Sequence, residues 1–199
     1  MTSFSINFDY RCPFARNANE HVLEALASGA DWQVEFRGFS LTAAHAEPDE
    51  AFAWSDPIHR PDLVALAAGL AVRDHHPERF RAVHRALFAA RHDLGEDLRD
   101  EGMVRKALVE GGVDPEAVFD EVATGAPFET LRREHEDSVT RHQSFGVPTF
   151  SNGKDAVFVR LMTRPRGDGA LARATIERVI DLLEHHPELN ELKHTSIPR

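Results

Sequence analysis

A chain of 199 residues with 42% hydrophobic side chains can bury a core without staples, as one domain carrying a large insertion or as two small lobes. Lys and Arg total 23 against 33 Asp and Glu, a formal charge of -10 that repels phosphate backbones and leaves no basic stripe for nucleic acid. A single cysteine excludes an internal disulfide framework, and a mean hydropathy of -0.39 without any long apolar run speaks against a membrane span. No charged segment followed by an apolar one opens the chain, so a reducing cytoplasm is the expected compartment. The expected partner is a small molecule or a protein thiol.

The first element is a strand over Ser3 to Phe8, with Phe4, Ile6 and Phe8 at period two. Pro13 suits the first turn of the helix that follows and continues through Asn17 to Ala27. Ser28-Gly29-Ala30-Asp31 reads as its stop, and Trp32, Val34 and Phe36 alternate with polar residues as a second, half-buried strand. Between Leu41 and Ile58, Pro48, Pro57 and acidic residues predict an irregular connection carrying Phe52 and Trp54. These two aromatics read either as walls of a pocket or as plain core.

From Pro61 to Phe145 the pattern is helix after helix. Leu63, Leu66, Ala67 and Leu70 mark one apolar face; Phe80, Val83, Leu87 and Phe88 mark the next, behind Pro77. Met103, Val104, Ala107 and Leu108 continue to Gly111-Gly112, Val118, Phe119 and Val122 follow Asp114-Pro115, and Pro127, Phe128, Leu131, His135 and Val139 make the last face. Strand patterning returns at Val147-Pro148-Thr149-Phe150, turns at Ser151 to Lys154, and resumes with Val157, Val159 and Leu161. A closing helix from about Gly169 repeats Ile176, Val179, Ile180 and Leu183. The order β-α-β, helices, β-β-α predicts an α/β fold with a thioredoxin-like unit, residues 1–40 plus 146–199, interrupted by an all-helical insertion, residues 41–145.

The stretch most specific for chemistry is Asp9-Tyr10-Arg11-Cys12-Pro13-Phe14-Ala15. Cys12 lies where a strand passes into a helix, so it would cap that helix and face unpaired N–H groups and the positive end of the macrodipole. Both favour thiolate over thiol, and the thiolate is the nucleophile. Arg11 would act in the same direction, and Asp9 against it if it points inward. A solitary cysteine is also, in many proteins, an inert small core residue, and Pro148 taken alone is an ordinary trans proline at a strand start.

The 12 histidines do not read as a metal centre. Ligand pairs on a helix need a separation of three or four, and no two histidines have it; His135 and His142 are two turns apart. No glycine-rich strand-to-helix loop suggests a nucleotide or phosphate site.

Cys12-Pro13-Phe14-Ala15 at a strand-to-helix junction, a helical insertion, and Phe145-Gly146-Val147-Pro148-Thr149-Phe150 late in the chain resemble the DsbA-like thioredoxin superfamily. That group includes kappa-class glutathione transferases, hydroxychromene-carboxylate isomerases and actinobacterial mycothiol-dependent reductases. The segment His186-Pro187-Glu188-Leu189-Asn190-Glu191-Leu192-Lys193 is similar to the tail of the mycothiol-dependent nitroreductases. The resemblance implies that Cys12 is the attacking cysteine and Pro148 a cis proline. Val147 then offers backbone groups to a bound thiol, with Pro13, Phe14 and Thr149 around it, and Asp9, Arg11, Ala15, Phe52 and Trp54 as further pocket candidates. A homodimer is a family-level expectation.

The chain departs from the dithiol members at Ala15, where they carry a second cysteine. Without a resolving thiol, a mixed disulfide on Cys12 must be released by an external one. The expected activity is therefore thiol–disulfide exchange by a monothiol CxxA cycle. Its co-substrate would be a low-molecular-weight thiol, mycothiol or glutathione, with no tightly bound cofactor. The alternatives are a transferase or isomerase in which a bound thiol does the chemistry, and a non-catalytic thiol-binding relative.

Overall fold

The computed structural model describes residues 2–46, 52–194 and 196. The chain divides into two compact units: Met1–Phe8, Cys12–Arg37 and Val139–Arg199 form one, and Asp9–Arg11 with Gly38–Ser138 form the other.

The first unit is built on a four-stranded sheet of β1 (Thr2–Phe8), β2 (Trp32–Gly38), β3 (Thr149–Ser151) and β4 (Ala156–Phe158), in the order β2-β1-β3-β4. β1 is internal, and Phe4, Ile6 and Phe8 are buried as their period-two spacing predicts. β3 runs antiparallel to β1, with Ile6 opposite Phe150 and Ser5 opposite Ser151, and antiparallel to β4, with Thr149 opposite Phe158. The ring of Phe4 meets Trp32 edge-on at 5.7 Å and Phe150 at 5.9 Å, joining three strands through one aromatic cluster.

Helix α1 (Pro13–Ala27) ends at Ser28, and Gly29 at φ 90° turns the chain toward β2. Its partner is α8 (Gly169–His185), which buries Ala172, Ile176, Val179, Ile180 and Leu183 at helical spacing and packs against α1. The predicted β-α-β and β-β-α elements are all present.

In the second unit, α3 (Arg60–His75) has an unbroken buried run from Leu63 to Val72. A helix apolar on every side has to be central. α4 (Pro77–His92), α5 (Glu101–Glu110) and α6 (Pro115–Ala123) pack against it, burying the expected Phe80, Val83, Leu87, Phe88, Val104, Ala107, Leu108, Val118, Phe119 and Val122. Helix α7 (Ala126–His142) contains the unit boundary.

Several local expectations are corrected. Part of the 41–58 connection is ordered as a one-turn helix, α2 (Leu41–Ala44), and a 3-10 turn (Pro57–His59). Ser40 and Asp56 cap them through side-chain oxygens, a local device that produces no apolar periodicity. Pro48 lies outside the described residues. On α7 the buried stripe is Pro127, Leu131, Glu134, His135 and Ser138, which leaves Val139 exposed. Glu134 lies in that stripe because it accepts from Gly38 N and pairs with Arg73. β4 ends at Phe158: Val159 N–H still donates to Pro148 O, the residue opposite it in the register, but a proline has no N–H to return the bond, and beyond it Leu161 O accepts from Asn17 of α1.

Candidate active site

Cys12 is the N-cap of α1, with extended backbone angles (φ -92°, ψ 119°) and Pro13 as the first helical residue. Pro13 has no N–H to satisfy, and the N–H of Ala15, three residues after the cap, donates to Cys12 Sγ at 3.4 Å. The sulfur also faces the carbonyl oxygen of Val147 at 3.3 Å, across 135 residues of sequence. These two contacts favour opposite protonation states. An N–H donor supports the thiolate, whereas the carbonyl is a partner only for S–H. Cys12 is 8% exposed, so the helix-capping sulfur expected from the sequence belongs to a nearly buried residue and faces a carbonyl as well as an N–H.

The loop opposite is held by its own set of bonds. Thr149 N–H donates to Asn7 Oδ1 at 2.7 Å, Thr149 Oγ1 donates to Gly146 O at 2.8 Å, and Pro148 O accepts from Val159 N at 3.1 Å. The Val147–Pro148 peptide is cis. Val147 and Thr149 are buried, Phe14 is partly exposed and Pro13 is exposed beside them. Ala15 is fully buried, so the position of a second cysteine is a methyl group in the core. Cys12, Pro13, Phe14, Ala15, Val147, Pro148 and Thr149 thus belong to one unit.

Asp9 and Arg11 belong to the helical unit. The Asp9 carboxylate is buried and accepts from Arg11 N and Leu41 N, both at 2.9 Å. Arg11, expected to lend positive charge to the sulfur, places its guanidinium on Asp9 and Asp62 at 3.3 and 3.2 Å, and it also donates to Thr42. Tyr10 between them is buried, its hydroxyl 2.9 Å from His84 Nδ1. Burial lowers the His84 pKa to about 3, helped by the charge of Arg85, so the ring is neutral and fits as the acceptor of the Tyr10 O–H. Phe52 and Trp54 meet edge to face at 4.9 Å and line a cleft of ≈ 670 Å³ within the helical unit, together with Arg60, Leu63 and Phe128. His135, next to Trp54, has its pKa pushed down to about 4 by burial.

Three further side chains in the unit that holds Cys12 lie outside the motifs of the sequence. Asn7 is 4% exposed and lies one residue out of phase with Phe4, Ile6 and Phe8; a polar residue on the second face of an internal strand is the cue that marks it. Glu20 on α1 accepts from Arg16 at 2.8 Å, both side chains buried, and pairs with the exposed Arg164. The guanidinium carbon of Arg160 lies 5.6 Å from the ring centroid of Phe14 and 5.5 Å from that of Phe158.

A sequence profile of the DSBA-like thioredoxin domain matches residues 5–163. The chain belongs to the DSBA-like thioredoxin family. Its fold is accordingly the thioredoxin-like DsbA fold, and the family is one of thiol oxidoreductases. Among solved structures, a probable DsbA oxidoreductase from Streptomyces coelicolor is similar at a TM-score of 0.61 and 15% identity, covering 100% of both chains. The cytosolic disulfide reductase DsbM from Pseudomonas aeruginosa, solved with GSH, aligns at a TM-score of 0.61 and 16% identity, over 90% of this chain and 100% of that one. A 2-hydroxychromene-2-carboxylate isomerase aligns at 0.61 and 15%, over 90% of this chain and 97% of that one. No functionally curated protein matches the sequence.

Proposed function

We propose that this protein is a cytoplasmic thiol–disulfide oxidoreductase that works through Cys12 alone and uses a low-molecular-weight thiol, glutathione or mycothiol, as co-substrate. The observation that carries this reading is the sulfur of Cys12, capping α1 at 3.4 Å from the Ala15 N–H and facing the Val147 carbonyl at 3.3 Å. An incoming thiol compound with an amide N–H would take the Val147 oxygen in place of the Cys12 S–H, leaving the sulfur with its N–H donor. The Cys12 thiol gives its proton to solvent and the thiolate attacks one sulfur of the disulfide; the bond between the two substrate sulfurs breaks, and the distal half leaves as a thiolate that takes a proton from solvent. A thiolate of the co-substrate attacks the mixed disulfide, departs with the retained half as a new disulfide, and restores Cys12. The distal sulfur is reduced and the co-substrate sulfur oxidised, so no second protein cysteine is needed. Similarity to a disulfide reductase solved with GSH supports the choice of co-substrate class.

The test is intact-mass measurement after incubation with oxidised glutathione or the disulfide of mycothiol. One adduct on wild type, none on Cys12→Ser, and release by the reduced thiol are expected. No adduct on wild type, or an equal one on Cys12→Ser, would refute the reading.

The near-complete burial of Cys12 and its bond to Val147 favour one alternative, in which the cleft presents a bound thiol to an electrophile and Cys12 does not turn over. Turnover of a chromogenic electrophile by Cys12→Ser in the presence of the thiol would select it.

A further inference from the structure

After β4 the chain is tied back onto the surroundings of Cys12 at three points. Val159 N–H reaches Pro148 O at 3.1 Å, Asn17 Nδ2 of α1 reaches Leu161 O at 2.7 Å, and Arg164 pairs with Glu20 of α1. Arg160 lies between the first two anchors, so its backbone is fixed next to both the proline loop and the active helix. Its guanidinium carbon lies within 5.6 Å of the Phe14 ring centroid and 5.5 Å of the Phe158 centroid, and Phe158 in turn meets Phe145 at 4.9 Å. Phe14 follows Cys12 by two residues, Phe145 precedes Val147 by two, and Phe158 is the strand partner of Thr149. Phe145 is 69% exposed, so this aromatic group opens to solvent beside the sulfur's own loop and helix.

Arg160 is exposed and forms no salt bridge among the described residues. The Glu191 carboxyl is held below its ordinary range by Lys193 and more weakly by Arg160. An aromatic ring neutralises none of the guanidinium charge, and the N–H fork of an arginine matches a carboxylate. The rings also restrict the long stem, which reduces the ordering cost that makes most exposed ion pairs weak. By contrast Arg16 and Arg164, the neighbouring cations on the same side of α1, are committed to Glu20.

We propose that Arg160 is a specificity-determining residue that pairs with a carboxylate of the thiol or disulfide bound at Cys12, so that the preferred co-substrate class is carboxylate-bearing thiols of the glutathione type rather than uncharged ones. This inference rests on Cys12 being the nucleophile. The exchange is the one already described: a bond forms between Cys12 Sγ and one substrate sulfur, the substrate disulfide breaks, and one half leaves as thiolate. Arg160 holds the non-reacting end.

The experiment compares the rate of mixed-disulfide formation on Cys12 with oxidised glutathione and with bis(2-hydroxyethyl) disulfide, which carries no charge. It uses wild type, Arg160→Gln, Arg160→Lys and Arg178→Gln, the last removing an equal charge from the exposed side of α8. Arg160→Gln is expected to lose about fivefold with oxidised glutathione, a typical size for an exposed but ordered ion pair, while the rate with the neutral disulfide is unchanged. Arg160→Lys should recover part of the loss, and the wild-type advantage should shrink at high salt. Equal losses in Arg160→Gln and Arg178→Gln would reduce the effect to net charge and overturn the proposal. Equal slowing with both disulfides would overturn it too, since Arg160 would then act on the sulfur. If wild type reacts with neither disulfide, the nucleophile reading fails on its own, and binding of S-methylglutathione decides the anchor: weakened by Arg160→Gln if it exists, unaltered if it does not.

Discussion

Replacing Asn7 by leucine tests how the proline loop is held opposite Cys12. Asn7 Oδ1 accepts the Thr149 N–H at 2.7 Å, and both residues are buried, so leucine keeps the side chain's branched heavy-atom shape and removes the acceptor from a site closed to water. A buried N–H left without a partner costs about 1–3 kcal/mol. The loop keeps two further ties, Thr149 Oγ1 to Gly146 O and Val159 N to Pro148 O, so the fold should survive with lower stability. Urea unfolding of Asn7→Leu should therefore show a lowered midpoint with an unchanged slope, equivalent to that loss. Because Val147 is two residues from the freed amide and its oxygen lies 3.3 Å from Cys12 Sγ, the alkylation rate of Cys12 by iodoacetamide should change in the same variant. A stability within about 0.5 kcal/mol of wild type, the usual range of a neutral surface change, together with an unaltered alkylation rate, would refute the clamp.

Two predictions concern the helical unit. His84 is buried with its pKa lowered to about 3, so the folded state resists a proton that the unfolded chain accepts near 6.5. Its contribution is intact above pH 6.5 and is lost as the pH falls from there toward 3. At pH 5 the loss is about 2 kcal/mol, and the urea stability difference between wild type and His84→Gln should narrow by that amount between pH 7 and pH 5; a constant difference would contradict it. Gly69→Ala should be destabilising by about 1–3 kcal/mol despite the better helix propensity of alanine. A Cβ at that position would lie 2.3 Å from the Tyr10 hydroxyl, which His84 and Phe88 hold in place. A rise in melting temperature would show that the Tyr10 ring has room to move.

What the sequence makes legible follows from how local the signal is. Phe4, Ile6 and Phe8 mark β1, and the spacing of Ile176, Val179, Ile180 and Leu183 marks α8, because their neighbours in space repeat at the period of the element itself. Cys12 with Pro13, and Val147 with Pro148, stand out as motifs. Asn7, Glu20 and Arg160 do not, because each is defined by a partner far along the chain: Asn7 by Thr149 at a separation of 142 residues, Glu20 by Arg164 at 144. β4 fails for a related reason. Val157, Val159 and Leu161 alternate as a strand should, yet the residue opposite Val159 is Pro148, which has no N–H to return the ladder bond, and Leu161 O turns to Asn17, so backbone hydrogen bonding rather than side-chain pattern ends the strand. Arg11 shows the converse: its adjacency to Cys12 suggests a role for its charge that pairing with Asp9 and Asp62 takes up.

The two contacts of Cys12 give the missing second cysteine a physical consequence on the proposed reading. A dithiol enzyme can clear an accidental adduct with its own resolving sulfur, whereas here Ala15 offers only a methyl group. A solitary nucleophile that stayed ionised and open would be trapped by the first oxidant to reach it. The Val147 carbonyl offers a partner to the S–H form of Cys12, which is 8% exposed, while the Ala15 N–H stays in position for the thiolate. A substrate amide that takes the Val147 oxygen removes the acceptor for S–H and leaves the donor that stabilises the anion, so ligand binding and activation of the sulfur become one event.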